Sequence, residues 1–269
     1  MNGPEVSYER RGALGVVRLE RPEALNALTY SMISEVSRWV RLAEVDPAVY
    51  AICITGAGRG FCAGLDMSIL AQTTAGDQLR PVPSRDGGPQ RTALFSFLLD
   101  ITKPVIAAVN GVAAGGGFIL AMMCDLRFVS EDANFITVFG RRGLIGEHGV
   151  SWLLPRMIGL SRALDLLWSS RRVSADEAYR LGLADRVTPG GALLETVEAY
   201  VADMALTVAP RSVAIMKGQV YRNLALTFDD ASFDTEELIA QSLVHPDAAE
   251  GAAHFLEKRP PRFSSWTGV

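Results

Sequence analysis

The stretch KPVIAAVNGVAAGGGFIL, residues 103–120, decides the fold of this chain. Its first half is a short apolar run that predicts a buried β-strand, and its second half predicts a glycine-rich turn followed by a helix. Glycine costs a helix interior roughly 1 kcal/mol relative to alanine, so the triplet at residues 115–117 does not serve helix stability. We interpret these glycines as a place where another group comes close to the backbone.

Strands and helices alternate through the first two thirds of the chain. The runs VSYER and GVVRLE, within residues 6–20, predict a hairpin, and residues 51–55 and 183–187 predict further strands. Thr29 or Ser31 is placed to cap an amphipathic helix. From about residue 191 the pattern is helical, with predicted helices over residues 191–208, 211–223, 228–243 and 247–259. This order predicts an α/β fold with a C-terminal helical region.

Composition excludes several classes of protein. A chain with 49% hydrophobic and 21% charged residues fits packed domains rather than disorder. The N-terminus lacks the apolar segment of a signal peptide, and no apolar run approaches the ~20 residues that span a bilayer, so we expect a soluble cytoplasmic protein with no membrane span. The net charge of −4 and the lack of a basic stripe argue against nucleic acid as a partner.

The three cysteines lie in apolar or glycine-rich surroundings without CxxC spacing: Cys53, Cys62 and Cys124. That spacing predicts neither a disulfide framework nor a zinc site. We therefore expect them to be small core residues and expect no metal site.

Two glycine-rich turns follow predicted buried strands, namely GAGRGFCAGLDM at residues 56–67 and NGVAAGGGFIL at residues 110–120. Neither contains GxGxxG or GxxxxGK[ST], which disfavours a dinucleotide or P-loop site. Two such turns can offer backbone N–H groups at strand ends, one of them at a helix N-terminus. Aimed at one oxygen, the pair would form an oxyanion hole, whereas the simpler alternative is that both turns only reverse the chain.

Several segments together resemble the crotonase superfamily, the enoyl-CoA hydratase/isomerase family. They are RPEALNAL (21–28), GAGRGFCAGLDM (56–67), KPVIAAVNGVAAGGG (103–117), AMMCDLRF (121–128), LLPRMIGLSRALDLL (153–167), EAYRLGLADRV (177–187) and EGAAHFLEKRPPRF (250–263). They follow the family's order and cover nearly the whole chain. The resemblance implies a spiral of ββα turns over residues 1–200. It also implies a C-terminal helical region over residues 201–269 that assembles homotrimers or dimers of trimers.

The resemblance also implies an acyl-CoA thioester as the ligand. The Leu65 and Gly116 N–H groups would bind the thioester carbonyl and stabilise its enolate. CoA would enter as part of the substrate, so no separate cofactor is implied. The residues that the resemblance assigns to the CoA moiety are Ala24, Ala27, Arg59, Ala63, Asp66, Phe255 and Lys258. The last two often belong to an adjacent subunit. A structural alternative, a helix cap or a buried partner, stays open for Asp66 and for Asp125. For Arg59 and Lys258 the alternative is a solvated surface charge.

This chain departs from the hydratases of the family at two positions. Those enzymes place two glutamates around a water molecule, whereas here the matching positions hold Ile119 and Phe139. Neither side chain can hold or transfer a proton, which disfavours the two-glutamate mechanism, and we assign both residues to the acyl pocket. Residues 71–90, rich in proline and glycine, are interpreted as a loop, which is either a flap over the ligand beside that pocket or a plain surface excursion.

One acid remains well placed, namely Glu147 in GLIGEHGVSW. It matches the position where some isomerases of the family carry an aspartate, and one carboxylate can move a proton between the α and γ carbons. We therefore predict isomerase-type chemistry with Glu147 as the base and with His148 beside it. The alternatives are that Glu147 caps the following helix, and that the protein binds acyl-CoA without catalysis. A serine hydrolase is disfavoured, since GxSxG is absent.

The sequence does not define the acyl group. Arg141 and Arg142, in FGRRG, are candidates for binding an acyl carboxylate, with a solvated surface role as the alternative.

Overall fold

The computed structural model of the protein describes residues 3–74 and 92–267. The strands are β1 (Val6–Arg11), β2 (Leu14–Leu19), β3 (Ala51–Gly56), β4 (Gly60–Cys62), β5 (Val105–Val109), β6 (Val112–Ala114), β7 (Leu126–Ser130), β8 (Asn134–Ile136), β9 (Val173–Ser174) and β10 (Arg186–Thr188). The helices are α1 (Tyr30–Val45), α2 (Met67–Thr74), α3 (Gly116–Met123), α4 (Val150–Ile158), α5 (Leu160–Ser169), α6 (Ala175–Leu181), α7 (Leu193–Thr207), α8 (Pro210–Asn223), α9 (Phe228–Leu243) and α10 (Pro246–Glu257).

Two sheets are built by a repeated pattern of long strand, short strand and helix. The larger sheet has the order β1-β2-β3-β5-β7-β10, and the smaller one has the order β4-β6-β8-β9. The predicted hairpin β1-β2 is antiparallel, and the following strands of the larger sheet pair in parallel. Each of β3, β5 and β7 is followed by a short strand of the second sheet and then by a helix. The predicted α/β class and its spiral of ββα turns are confirmed.

Strand β5 shows why the opening stretch has this position. Val105, Ala107 and Val109 pack into the hydrophobic cluster on one face of the larger sheet, and Ile106 and Ala108 pack into the cluster on the other face. Side chains alternate across a strand, so a central parallel strand that is covered on both faces must be apolar throughout. The uninterrupted apolar run therefore belongs at the centre of the sheet.

The lysine before β5 connects this central strand to helix α1. Lys103 is buried, and its Nζ donates to the carbonyls of Ala43 and Asp46, at the C-terminal end of α1. The last carbonyls of a helix have no helical partner, and a cation is favoured there by the helix dipole. Burial lowers the pKa of Lys103 to about 8. The side chain thus fixes the end of α1 to the start of the central strand.

The three glycines of the triplet have different surroundings. Gly115 has a φ of +51° and a ψ of −114°, which L side chains rarely adopt. Gly117 packs against the backbone of Cys62, with no space for a Cβ atom. A Cβ atom on Gly116 would meet the Leu28 Cδ1 atom at 3.1 Å, the flexible end of a side chain. Close packing accounts for Gly116 and Gly117, and the backbone conformation of the turn accounts for Gly115.

Replacing Gly117 by alanine should lower the free energy of unfolding by about 1–3 kcal/mol, because the added methyl group forces the Cys62 backbone to shift. Gly218→Ala is the matched control, since a Cβ atom there meets nothing within 4 Å and the residue lies within α8. The control should leave stability unchanged or raise it by up to about 1 kcal/mol. Urea denaturation measures both, and equal stability of the two variants would contradict the packing argument.

The predicted C-terminal helices are all present. Leu193, Val197 and Val201 of α7 pack against the larger sheet, so α7 covers its second face. Residue 200, the predicted end of the spiral core, lies inside α7, and the strand predicted at residues 183–187 is instead β10. Residues 71–74, expected in a loop, continue α2. The rest of that loop, residues 75–90, lies outside the described residues.

Helix α8 is attached to the sheet by a cluster centred on Asp125. This carboxylate accepts hydrogen bonds from Val105 N at 2.7 Å and Tyr221 Oη at 2.9 Å, and it pairs with Lys217 Nζ at 2.7 Å. Lys217 Nζ also donates to two carbonyl groups, those of Leu98 and Lys103. Burial, together with the Asp125 charge, raises the pKa of Tyr221. Asp125 is thus a buried partner of α8.

The cysteines are all buried and free, as predicted for core residues. Burial raises the pKa values of Cys53 and Cys62 to about 12. Across residues 3–74 and 92–267, no group of three or more His, Cys, Asp or Glu side chains is arranged to hold a metal ion. In the same ranges no helix combines the length and apolar character that a bilayer span requires.

Candidate active site

A cavity of about 190 Å³ lies where the turns after β4, β6 and β8 meet. Its described lining comprises Tyr30, Ile33, Leu65, Leu94, Gly115, Gly116, Ile119, Val138, Phe139, Arg142, Leu144, Glu147 and His148. All of the residues predicted from the sequence to be catalytic or to form the acyl pocket are in this set. The structure therefore brings together side chains and peptide groups from five separate segments of the chain.

Two backbone amide groups that belong to the cavity lining are close neighbours. Leu65 is held on both sides, since Leu28 N donates to Gly64 O at 2.7 Å and Asp66 N donates to Leu28 O at 3.0 Å. Gly116 is the first residue of α3, where an N–H has no acceptor within the helix. A Cβ atom built on Gly116 would lie 3.5 Å from Leu65 N, so the two peptide groups are neighbours.

Neither amide is used by the described part of the protein. Among residues 3–74 and 92–267, the structure gives no acceptor for the Leu65 N–H or the Gly116 N–H. Both peptide groups line the cavity, and the Gly116 N–H lies at the positive end of the α3 dipole. This arrangement can accept one oxygen that carries negative charge.

Glu147 and His148 lie in the turn before α4. Helix α4 begins at Val150 after Gly149 as the N-cap residue, so Glu147 is not the N-cap. His148 has a φ of +51°, and its Nδ1 accepts the N–H of Leu94 at 3.1 Å. Because Nδ1 is an acceptor in this geometry, the proton of a neutral ring is assigned to Nε2. Both side chains are half-buried, and both line the cavity.

Two buried apolar side chains form one wall of the cavity. They occupy the positions that the resemblance matches to the hydratase glutamates. Ile119 and Phe139 are buried, with 1% and 3% of their surface exposed. Next to Phe139, Val138 has a φ of +58°, and its Cγ2 atom approaches Gly115. A β-branched residue in this left-handed conformation stores strain of about 1–3 kcal/mol. Such strain persists only where the surrounding packing imposes it, and here it sits beside the amide pair.

Most residues predicted to bind CoA form one surface of adjacent turns beside Leu65. Ala24 and Ala27 are half-buried in the turn before α1, and Ala63, also half-buried, donates its N–H to Leu25 O at 2.9 Å. Arg59 is exposed in the turn between β3 and β4. The predicted grouping of these residues is therefore present, close to the amide pair.

Asp66 has structural partners. Its carboxylate accepts hydrogen bonds from Ser68 N at 3.1 Å and Ser68 Oγ at 2.8 Å, and Arg21 Nη2 lies 3.1 Å away. The hydrogen bonds from Ser68 and the Arg21 guanidinium lower the pKa of Asp66. Asp66 therefore connects the start of α2 to the turn at residues 21–28. This is the structural role that the sequence left open as the alternative to CoA binding.

Phe255 and Lys258 lie apart from the cavity lining. Phe255 is 77% exposed on α10, and Lys258 is exposed at the C-cap of the same helix with a φ of +53°. Within this chain they are not brought to the cavity with the other predicted residues.

Sequence reasoning missed Asn26, which braces the turns that were predicted to bind CoA. This fully buried side chain accepts the N–H of Arg21 at 2.9 Å and donates to Ala57 O at 3.0 Å and Gly60 O at 2.8 Å. It therefore links RPEALNAL to the turn that contains Arg59. Its φ of +57° is a conformation for which asparagine is enriched. The signal available in the sequence was this polar residue between the apolar residues Leu25 and Ala27 of RPEALNAL.

Comparison with known proteins assigns the class. The ββα spiral with its C-terminal helices is the fold of the crotonase superfamily, as in a probable enoyl-CoA hydratase/isomerase from Mycobacterium abscessus. That crystal structure aligns with a TM-score of 0.85 and 31% identity over 97% of this chain and 99% of that one. The enoyl-CoA hydratase/isomerase family model matches residues 9–266. The chain belongs to the enoyl-CoA hydratase/isomerase family.

Relatives with different names are about equally similar to this chain. A probable enoyl-CoA hydratase of Mycobacterium leprae is 34% identical over 257 residues, which are 96% of this chain and 95% of that protein. The 1,2-epoxyphenylacetyl-CoA isomerase of Escherichia coli is 32% identical over 264 residues, which are 96% of this chain and 97% of that protein. The predicted class, an enzyme of the hydratase/isomerase type, is confirmed. The names of these relatives differ, so they do not decide which reaction of that class this protein catalyses.

Proposed function

We propose that this protein is an acyl-CoA enzyme that stabilises a thioester enolate between two backbone amides and transfers a proton with Glu147. The observation that carries the proposal is the shared cavity, which is lined by the Leu65 and Gly116 peptide groups and by the Glu147 side chain. An oxyanion hole and a carboxylate base are the groups that enolate chemistry requires.

The reaction follows from the positions of these groups. The thioester oxygen accepts the N–H groups of Leu65 and Gly116, which makes the protons on the adjacent carbon more acidic. Glu147 removes one such proton, and the electron pair of the broken C–H bond moves onto the thioester oxygen. In an unsaturated ester the same carboxylic acid then returns the proton at the other end of the conjugated system. The double bond moves, and no atoms are gained or lost.

Hydration by two glutamates is not the reaction we propose. The buried side chains of Ile119 and Phe139 can neither orient a water molecule by hydrogen bonding nor exchange a proton with it. The E. coli relative is named as an isomerase, which favours isomerase-type proton transfer without requiring it.

Binding of the CoA moiety is proposed at the turns that hold Ala24, Ala27, Arg59, Ala63 and Asp66. CoA belongs to the substrate, and no separate cofactor is part of this proposal. Phe255 and Lys258 are proposed to contribute from an adjacent subunit of a homotrimer or a dimer of trimers. Exposed apolar side chains on the C-terminal helices support such an assembly: Met216, Val220, Phe228, Phe233, Leu243, Phe255 and Leu256.

Hydrogen exchange tests the proposal. The protein is incubated in deuterated water with saturated and unsaturated acyl-CoAs, and mass spectrometry follows deuterium at the α and γ carbons. Exchange identifies an enolate-forming enzyme and a substrate. Tight binding without exchange across the panel would instead identify the alternative, a protein that binds acyl-CoA without catalysis.

Gly116→Pro tests the amide directly, because it removes one N–H at the first position of α3, where proline is well tolerated. We expect the exchange rate to fall about 100-fold relative to Gly116→Ala, as for the loss of one oxyanion donor. The alanine variant is the matched control, since it keeps the N–H but makes the same new contact with Leu28. Equal rates for the two variants would remove Gly116 N–H from the mechanism.

A further inference from the structure

We propose that Arg142 binds a carboxylate at the far end of the acyl group, so that the preferred substrates are CoA thioesters of dicarboxylic acids. This inference rests on the proposed function, because it assumes that the acyl group occupies the cavity beside Glu147. It goes beyond that function by naming the chemical class of the acyl group.

The backbone that carries Arg142 is fixed at the cavity. The buried residue Phe139 accepts two hydrogen bonds at its carbonyl, from Arg142 N at 3.0 Å and Leu144 N at 2.9 Å. The single-turn 3-10 helix Gly140–Arg142 packs tightly against α5, since a Cβ atom on Gly140 would meet Trp168 O at 3.1 Å. The same turn that lacks the second hydratase glutamate thus presents an arginine three residues later.

Arg142 has no protein partner among the described residues. The structure gives no hydrogen bond and no ion pair for its guanidinium within residues 3–74 and 92–267. By contrast, Arg171 is held by both Asp165 and Glu177. Glu147 lines the same cavity. A cation with unused donors therefore borders the space proposed for the acyl group.

The surroundings of Arg142 suit a carboxylate. Leu144, Phe139 and Ile119 line the same cavity as the exposed Arg142, so an acyl chain that packs on these apolar side chains brings its far end toward the guanidinium. A guanidinium can donate two parallel hydrogen bonds to one carboxylate, a geometry that a lysine does not reproduce. An acyl chain that ends in a methyl group would leave these donors unused.

The competing source of an anion is the CoA moiety itself, which carries phosphates. Contact of Arg142 with those phosphates would strengthen binding of every acyl-CoA equally, whereas contact with an acyl carboxylate strengthens only the dicarboxylic esters. Pairs of esters with the same number of carbons separate the two cases: succinyl-CoA with butyryl-CoA, glutaryl-CoA with valeryl-CoA, and adipyl-CoA with hexanoyl-CoA.

Calorimetry measures the dissociation constants of these pairs for the wild type, Arg142→Gln and Arg141→Gln. Arg141 is the matched control, because it is exposed like Arg142 and lies in the same turn, but it does not line the cavity. We expect the wild type and Arg141→Gln to bind at least one dicarboxylic ester about 10- to 100-fold tighter than its partner, the range for a hydrogen bond to a charged group. Arg142→Gln should abolish that preference.

Two results would overturn the inference: a wild type without any preference, or an Arg142→Gln variant that weakens both members of each pair equally. The proposed function fails separately, through the absence of deuterium exchange. Binding preference without exchange would support the carboxylate contact in a protein that lacks the chemistry. Exchange without preference would support the chemistry and reject the contact.

Discussion

Glu147→Gln should lower the rate of hydrogen exchange into bound acyl-CoA about 1,000-fold, within the range attributed to general acid–base groups. Glutamine keeps the size and polarity of the side chain but cannot accept the proton from carbon. The variant should bind acyl-CoA with a dissociation constant within a few-fold of the wild type, since the amides of Leu65 and Gly116 remain in place. Mass spectrometry measures the exchange, and calorimetry measures the binding.

Glu131→Gln is the control for this experiment, because Glu131 is exposed and does not line the cavity. Its exchange rate should match that of the wild type. If Glu147→Gln exchanged at an undiminished rate, another group would be the base, and His148 would be tested next through His148→Gln. Loss of both exchange and binding would instead assign Glu147 to the integrity of the cavity.

Asp125→Ala should lower the free energy of unfolding by about 3–5 kcal/mol, the usual effect of breaking a buried ion pair by removing one partner. The change leaves the Lys217 ammonium, 8% exposed, without its carboxylate. It also removes the acceptor of Val105 N and of the Tyr221 hydroxyl. Urea denaturation measures the loss, and α8 should become the most easily opened part of the described fold in hydrogen exchange of the backbone amides.

Asp176→Asn is the matched control for Asp125, because Asp176 forms an exposed pair with Arg180 on α6. Its replacement should change stability by less than about 0.5 kcal/mol. Tyr221→Phe removes a single hydrogen bond of the cluster and should cost about 1 kcal/mol, which keeps the test informative if the alanine variant does not fold. A loss below 1 kcal/mol in Asp125→Ala would contradict the assigned role of the cluster.

The periodicity of the sequence was sufficient for the fold class and for most elements. Thr29, one of the two predicted cap residues, caps α1 by accepting the N–H of Met32, and Ser174 caps α6 in the same way by accepting the N–H of Glu177. Capping depends on residues a few positions apart, so it is readable along the chain. The last turn of α2 was missed because residues 71–90 were interpreted as a single loop on their proline and glycine content.

The candidate site was predictable only in part. The resemblance named some of the residues that line the cavity, but the surroundings of Gly116 and Gly117 depend on contacts with Leu28 and Cys62, which are distant in sequence. The pairing of Asp66 with Arg21 is of the same kind. Contacts between remote segments are set by tertiary packing, on which local patterns carry little information. Phe255 and Lys258 illustrate the same limit, since their proposed role requires a second subunit.

Both donors of the proposed oxyanion hole are peptide groups, and this has an evolutionary consequence. Nearly any substitution at Leu65 leaves its N–H in place, so point mutation seldom removes the group that stabilises the enolate. Side chains that transfer protons are, by contrast, lost through single substitutions, as we propose for Ile119 and Phe139 at the positions that the resemblance matches to the hydratase glutamates. A lineage can therefore exchange one reaction for another while the thioester remains activated at every step.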